Sequence, residues 1–256
     1  MPRAAIVAPV RTPVGKFLGA LKDIPAERLA AQVVAETVRR SGIDPALVED
    51  VVMAQSYANS EAPCIGRWAA LAANLPIEVP GIQIDRRCAG GLQALVTAAM
   101  MVETGAADVV IAGGVESMSN IEYYTTAMRG GARAGNALLF DRLERGRERS
   151  QPVERFGVIS GMIETAENVA KEMNIAREDA DAFAAESHRR AAAAQSANRF
   201  ADEIVAVAVP QKKGDPLVFD ADEFINRKTN AEALAGLRPA FDKAGSVTAG
   251  NASGIN

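Results

Sequence analysis

The sequence contains few of the residue types on which several protein classes depend. It has two cysteines, one histidine and one tryptophan among 256 residues. Two cysteines cannot form the several bridges of a small disulfide-stapled protein, and with one histidine they cannot supply a Cys/His zinc site. Aromatic residues make up only 5% of the chain, so Ala, Val, Ile, Leu and Met must form the core. We therefore expect helices packed closely on a sheet, and no metal site.

Long apolar runs and a large excess of one charge are also lacking. No stretch approaches the roughly 20 apolar residues that cross a bilayer, and the first residues show no apolar signal-peptide core. The formal net charge of −4 argues against nucleic acid or an anionic membrane surface as the main partner. With 48% hydrophobic and 23% charged residues, the composition is typical of a globular protein. We expect a cytoplasmic protein that binds neither nucleic acid nor membranes.

Short runs rich in Val and Ile alternate with helical patterns through the first 120 residues. The predicted strands are Ala4–Val10, Asp50–Ala54, Gly81–Asp85 and Asp108–Gly114. The predicted helices run from Pro25, which pre-sets the first turn, to Gly42, which ends the helix, from Arg67 to Asn74 and from Cys88 or Ala89 to Glu103. Asp44 and Pro45 are predicted to be the N-cap and first residue of a short helix before the strand at Asp50–Ala54. Later helices are expected at Thr165–Glu172 and Arg177–Ala197, before a strand at Ile204–Val209. This alternation predicts an α/β fold, in which a mostly parallel sheet carries helices on both faces.

The chain changes character near residue 120, where Gly, Arg and polar residues replace the strand–helix alternation. We predict a core domain over residues 1–119 and an inserted domain over 120–245 that contains its own amphipathic helices. Residues 246–256 are predicted to return to the core. They end without a helix cap or stop signal, so we expect the sequence to stop within the structure.

Cys88 is the residue best placed for chemistry. It lies where a predicted strand turns into a helix, with Gly90 and Gly91 after it and two arginines before it. Helix N-terminal N–H groups and the arginine charges favour a thiolate, and the nearby backbone N–H groups could hold an oxyanion, as in a nucleophile elbow. These residues alone leave open a buried structural cysteine. Cys64 lacks such neighbours, and a structural role is the better interpretation there.

Other candidates are less specific. Gly113-Gly114 after a strand does not match a nucleotide-binding glycine pattern. His188 falls in an alanine-rich helix and is interpreted as an exposed helical histidine. Glu116 and Glu167 are candidate paired carboxylates, although nothing in the sequence shows that they meet.

Six segments taken together resemble the thiolase family in order and spacing. They are RTPVGKF at 11–17, CAGGL at 88–92, GGVESMS at 113–119, TAEN at 165–168, LRPAF at 237–241 and VTAGNASG at 247–254. The resemblance covers the whole chain. It implies a thiolase fold of two similar α/β halves, in which this chain is the N-terminal portion and residues 120–245 are the loop domain of the first half.

The resemblance also implies a function and site residues. Cys88 matches the nucleophile that takes an acyl or acetyl group from a coenzyme A (CoA) thioester, in 3-ketoacyl-CoA thiolysis or acetoacetyl-CoA synthesis. Met162 matches an acyl-pocket residue, and Phe241 lies beside the CoA channel. Ala249 and Ser253 match residues that contact the pantetheine of CoA, and Arg227 or Lys228 is placed to meet a CoA phosphate. CoA and acyl-CoA are substrates, no cofactor is expected, and the family assembles as homodimers or homotetramers.

Some thiolase features are not found in these 256 residues. The family's Gly-His-Pro histidine, Asn-Glu motif and second cysteine belong to its C-terminal half. We therefore expect this chain alone to be poorly stable and nearly inactive. The alternative function is a catalytically silent thiolase-like module that binds CoA or assembles with a partner. A condensing enzyme acting on acyl-carrier protein shares the fold but fits the loop-domain segments less well.

Overall fold

A computed structural model of the chain describes residues 3–157 and 161–256. The helices within these ranges are α1 (Ala26–Ser41), α2 (Ile65–Ala72), α3 (Gly90–Thr104), α4 (Arg142–Glu148), α5 (Val153–Phe156), α6 (Met162–Met173), α7 (Arg177–Ser196) and α8 (Ala231–Ala235). The strands are β1 (Asp50–Ala54), β2 (Ile82–Ile84), β3 (Val110–Gly114), β4 (Tyr123–Tyr124), β5 (Phe140–Asp141), β6 (Val207–Val209) and β7 (Leu217–Phe219). The chain divides into two compact units, described separately below.

The first unit comprises residues 1–120, 201–223 and 256. Its parallel sheet has the order β2-β1-β3, with Val52 paired to Ile82 on one side and to Ala112 on the other. Val51 and Met53 share one face of β1 and pack in a core cluster with α1 and α2. Ala54 points to the opposite face, where Gly90 of α3 approaches it closely. The prediction of a parallel sheet with helices on both faces is confirmed.

Local sequence signals account for the ends of α1. Pro25 precedes the first turn, and Gly42 ends the helix with a φ of 66°, in the left-handed region that favours glycine. Asp44 then accepts a hydrogen bond from Ala46 N as the cap of a short 3-10 helix that begins at Pro45. These predicted signals are confirmed.

The prediction of a strand at Ala4–Val10 is wrong. Ile6 and Val7 are exposed, and Ala8 has a φ of 49°, which interrupts an extended backbone. Among the described residues, the first β-bridge after this segment is at Arg11, which pairs with Ile204. The apolar, β-branched composition favours extension, but a strand also requires a neighbouring strand to accept its hydrogen bonds.

The large apolar residues of α3 do not face the sheet. Gly90, Ala94 and Ala98 form its buried side, and these small residues allow the helix to lie close to β1 and β3. Leu92, Leu95, Val96 and Met100 are exposed. The packed face of the helix is therefore its small-residue face.

Residues 201–223 join the first unit through the antiparallel β6–β7 pair. Val207 and Val209 are buried against Leu21 and Leu29 in a second apolar cluster. Arg11 anchors the same region through Glu203 and Asp222, at 2.6 Å and 2.7 Å. These contacts explain why a segment distant in sequence belongs to the sheet unit.

The second unit comprises residues 121–200 and 224–255 and contains α4 to α8 with the β4–β5 pair. Its α6 and α7 correspond to the predicted helices at Thr165–Glu172 and Arg177–Ala197. The units group 201–223 with the first 120 residues and 246–255 with the second unit. The predicted division at 119 and 245 stays a prediction, and residues 158–160 within it lie outside the described part. In neither described range is a helix both long and apolar enough to span a membrane.

Candidate active site

Cys88 lies in the turn between β2 and α3. The turn is a 3-10 helix over Arg87–Ala89, and α3 begins at Gly90. The residue is exposed within these 256 residues, unlike a buried structural cysteine. The first N–H groups of a helix lack partners within the helix, so the adjacent space favours negative charge. Cys64, in contrast, is half-buried and its Sγ donates to the carbonyl of Gly81 at 3.2 Å, as a structural cysteine does.

The carboxyl ends of the three parallel strands meet at one edge of the sheet, and Cys88 follows one of them. Ser56 and Tyr57 follow β1, and Glu116 follows β3. The Glu116 carboxylate accepts hydrogen bonds from Ser56 N at 2.9 Å and Tyr57 N at 3.1 Å. Ligands of open α/β sheets bind at this edge. A substrate site that includes Cys88 therefore agrees with the topology.

Arg87, the residue before Cys88, ties the turn to its surroundings. Its backbone has a φ of 49°, and its N–H donates to Asp85 Oδ1 at 2.8 Å. Its guanidinium donates to the Ser56 carbonyl at 2.7 Å and lies 5.7 Å from the ring centre of Tyr57. The guanidinium also lies 3.4 Å from the Asp85 carboxylate, which offsets its charge. Arg87 thus acts mainly as a structural tie, a role that sequence reasoning missed.

The five residues predicted to contact substrate lie in the second unit, whereas Cys88 lies in the first. Met162, at the start of α6, and Phe241 are 73% and 63% exposed. Ala249 and Ser253 are exposed as well. The segments around Phe241 and Ala249 are joined within this unit, since Ala240 N donates to Val247 O at 2.8 Å. Exposure makes these side chains available to a ligand, and their roles stay predictions.

Arg227 is exposed but engaged. Its guanidinium donates to Ser196 Oγ at 2.9 Å and Gln195 Oε1 at 2.7 Å, at the end of α7. To contact a CoA phosphate, the Arg227 guanidinium would have to share or give up these hydrogen bonds. Its role in CoA binding stays a prediction. Nearby, His188 is half-buried rather than exposed, and its Nδ1 accepts a hydrogen bond from Asn226 N at 3.1 Å.

Glu167 holds a loop of its own unit and is not shown to pair with Glu116, the possibility considered from the sequence. Glu116 and Glu167 lie in different units, and each accepts hydrogen bonds from its own unit. The Glu167 carboxylate is buried in α6 and accepts from Ser246 and Val247. The sequence did contain a signal for this burial. Glu167 lies four positions after Ile163 and three before Ala170, which places an acidic residue on the apolar side of a helix. Within residues 3–157 and 161–256, no group of acidic, histidine or cysteine side chains could hold a metal ion.

Comparison with known proteins agrees with this geometry. Residues 4–256 match the family description "Thiolase, N-terminal domain". The chain is 46% identical over 253 residues to an acetyl-CoA acetyltransferase of Chromobacterium violaceum. This match covers 98% of this chain and 63% of the relative. It is 41% identical over 265 residues to an acetyl-CoA acetyltransferase of Cupriavidus necator, covering 100% of this chain and 64% of the relative.

The fold comparison gives the same result. The crystal structure of the Bacillus anthracis acetyl-CoA acetyltransferase superposes with a TM-score of 0.92 at 40% identity, covering 100% of this chain and 63% of that one. The predicted thiolase fold is thereby confirmed. The chain spans less than two thirds of the length of these relatives. With six thiolase-like segments, a match over almost every residue and a shared fold, the chain belongs to the thiolase family.

Proposed function

We propose that Cys88 is the nucleophile of an acyl-CoA thiolase, which moves acetyl or longer acyl groups between this cysteine and CoA. The observation that carries the proposal is the exposed Cys88 at the strand-to-helix turn, at the carboxyl edge of the parallel sheet. The relatives named acetyl-CoA acetyltransferase support the same substrate class.

In acyl transfer, the Cys88 thiolate attacks the carbonyl carbon of an acyl-CoA. The new C–S bond forms as the bond to the CoA sulfur breaks, and CoA leaves as a thiolate that takes up a proton. In thiolysis of a 3-ketoacyl-CoA, the bond between the α and β carbons breaks instead. Acetyl-CoA then leaves as a carbanion that is protonated, and the thiolate of a second CoA attacks the acyl-enzyme and releases Cys88. The reverse sequence joins two acetyl groups.

The chain's own groups support the first step of this chemistry. The N-terminus of α3, which begins at Gly90, favours negative charge near Cys88. Met162, Phe241, Arg227, Ala249 and Ser253 are the proposed contacts for the acyl group and CoA. Neither a cofactor nor a metal is proposed. The protein is proposed to be cytoplasmic and to assemble as a homodimer or homotetramer. Turnover by these 256 residues alone is expected to be slight, because the family's histidine base and second cysteine are not among them.

The test is the intact mass of the natural protein before and after incubation with acetyl-CoA. The natural protein and its C64A variant should each gain the mass of one acetyl group, whereas C88A should gain none. An unmodified Cys88 in the natural protein would overturn the proposed function. If CoA still bound in that case, the silent CoA-binding module would be the correct interpretation.

A further inference from the structure

Two buried carboxylates in the second unit point at one short stretch of chain. Glu167 of α6 and Asp181 of α7 are only 3% and 4% exposed. Both accept hydrogen bonds from residues 246–251, which lead into the stretch proposed to contact pantetheine. Burying a carboxylate is costly unless it is fully hydrogen-bonded, so these contacts are strong constraints on the segment.

Glu167 holds the start of the segment. Its carboxylate accepts from Ser246 N at 2.9 Å, Val247 N at 2.8 Å and Ser246 Oγ at 3.1 Å. Burial favours the neutral acid, but these three hydrogen bonds outweigh it and hold the pKa of Glu167 below its usual range. Gly245 fits because a Cβ there would collide with Glu167 Oε1.

Asp181 holds the middle of the segment through Asn251. Its Oδ2 accepts from Arg177 Nε at 2.7 Å, which partly compensates its charge, and its Oδ1 accepts from Asn251 Nδ2 at 2.8 Å. The same Asn251 amide closes the turn, because its Oδ1 accepts from Thr248 N at 2.7 Å and its Nδ2 donates to Ser246 O at 2.9 Å.

The result is a segment with one anchored side and one open side. Val247 and Thr248 are buried, whereas Ala249 and Ser253 are exposed. A surface fixed before the ligand arrives loses less conformational entropy on binding, so anchoring of this kind raises affinity without touching the ligand.

We propose that Glu167 and Asp181 are positioning residues that hold segment 246–253 in the shape that binds the pantetheine arm of CoA. The inference rests on the proposed function, because it takes Ala249 and Ser253 as CoA contacts. Neither carboxylate has a part in the acyl chemistry at Cys88.

The experiment measures kcat and the KM for CoA in thiolysis, using the natural-length protein and its E167Q and D181N variants. In E167Q, the new NH2 group faces the N–H donors of the segment, so a hydrogen bond is lost. In D181N, the new NH2 group faces a donor of either Arg177 or Asn251, with the same result. We expect the KM for CoA to rise about tenfold, a change of about 1.4 kcal/mol, and kcat to change less than about twofold. Iodoacetamide alkylation of Cys88 should keep its wild-type rate.

Matched controls separate positioning from general destabilisation. Glu172 of α6 and Asp179 of α7 are exposed acids on the same helices, and E172Q and D179N should leave both constants unchanged. S246A removes only the hydroxyl donor to Glu167 and should raise the KM for CoA by about twofold to threefold. It serves as the deciding variant for Glu167 if E167Q fails to fold. For Asp181 the corresponding variant is N251A, which removes the donor to Asp181 Oδ1.

An unchanged KM for CoA in folded E167Q, or in S246A if E167Q does not fold, would overturn the positioning role of Glu167. The same result in folded D181N, or in N251A if D181N does not fold, would overturn that of Asp181. A parallel fall in kcat and in the alkylation rate would also overturn it, since that is the pattern of general damage. If the wild-type protein neither acylates Cys88 nor responds to CoA, the proposed function itself fails and this inference fails with it.

Discussion

Arg87 Nη1 donates a hydrogen bond of 2.7 Å to the backbone carbonyl of Ser56. The bond links the turn that contains Cys88 to the loop after the neighbouring strand β1. Glu116, after β3, holds the same loop by accepting from Ser56 N. Through this chain of contacts, all three parallel strands take part in fixing the position of one exposed thiol.

Substitution of Arg87 tests whether this tie matters for reactivity. R87A loses the bond to Ser56 and keeps the strain of a φ of 49° that Arg87 already carries, whereas R87G loses the same bond but relieves that strain. We expect iodoacetamide alkylation of Cys88 to slow about tenfold in R87A and about threefold in R87G, a difference of somewhat less than 1 kcal/mol. The rate is followed by mass spectrometry of the Cys88 peptide. Wild-type rates in both variants would show that the tie does not position the thiol.

The two glycines after Cys88 should respond in opposite ways to alanine. A Cβ at Gly90 would lie 2.9 Å from Ala54 Cβ, whereas a Cβ at Gly91 meets nothing within 4 Å. We expect G90A to lower the free energy of unfolding by about 1–3 kcal/mol because it overpacks the contact between α3 and β1. G91A should leave the stability unchanged or raise it by up to about 1 kcal/mol, since alanine favours helix. Urea denaturation measures both, and equal effects would contradict the close approach at Gly90.

The Arg11–Asp222 pair predicts how stability depends on pH. Burial favours neutral Asp222, but the hydrogen bond from Arg11 and that from Val14 N hold the pKa of Asp222 below its usual range. A depressed carboxyl pKa stabilises the fold above the usual value, and this contribution disappears as the pH falls through the folded-state pKa. We therefore expect the free energy of unfolding to fall below about pH 4.

D222N tests this dependence. At pH 7 it should lower the free energy of unfolding by about 1–2 kcal/mol, through loss of a charged hydrogen bond, and it should flatten the acid dependence. Asp220 is exposed two residues earlier, so D220N is the control and should change neither quantity. Chemical denaturation between pH 3 and pH 7 gives both results, and a variant with the wild-type pH dependence would rule out Asp222 as the group responsible.

Ser253 tests the proposed pantetheine contact directly. Removing one neutral hydrogen bond costs about 0.5–1.5 kcal/mol, so S253A should raise the KM for CoA by about twofold to tenfold and leave Cys88 alkylation unchanged. The free energy of unfolding should also stay constant, because Ser253 is exposed. A wild-type KM would remove Ser253 from the CoA surface.

Short-range signals made much of the fold predictable. Gly42 and Asp44 act through their own backbone and side-chain geometry, so the end of α1 and the following 3-10 cap could be read from the sequence. The strand at Asp50–Ala54 was predicted with the bounds that the structure has, because a β-branched run between turn residues is a local signal. Cys88 at a strand-to-helix turn followed from the same kind of reasoning.

Features that depend on distant partners required the tertiary structure. Residues 4–10 have the composition of a strand, but strand formation depends on a partner elsewhere in the chain. The inward side of α3 was decided by how closely Ala54 approaches Gly90, not by which side chains are most apolar. The distant partners of Arg87, Glu167 and Asp181 are Ser56, Ser246 and Asn251, which lie 31, 79 and 70 positions away, and no local pattern encodes such pairs. The sequence by itself determined the family, the nucleophile candidate and most of the elements, because these are carried by local patterns. Tertiary packing alone decided which charged groups hold the site in place, because a hydrogen bond between distant residues exists only once the chain has folded.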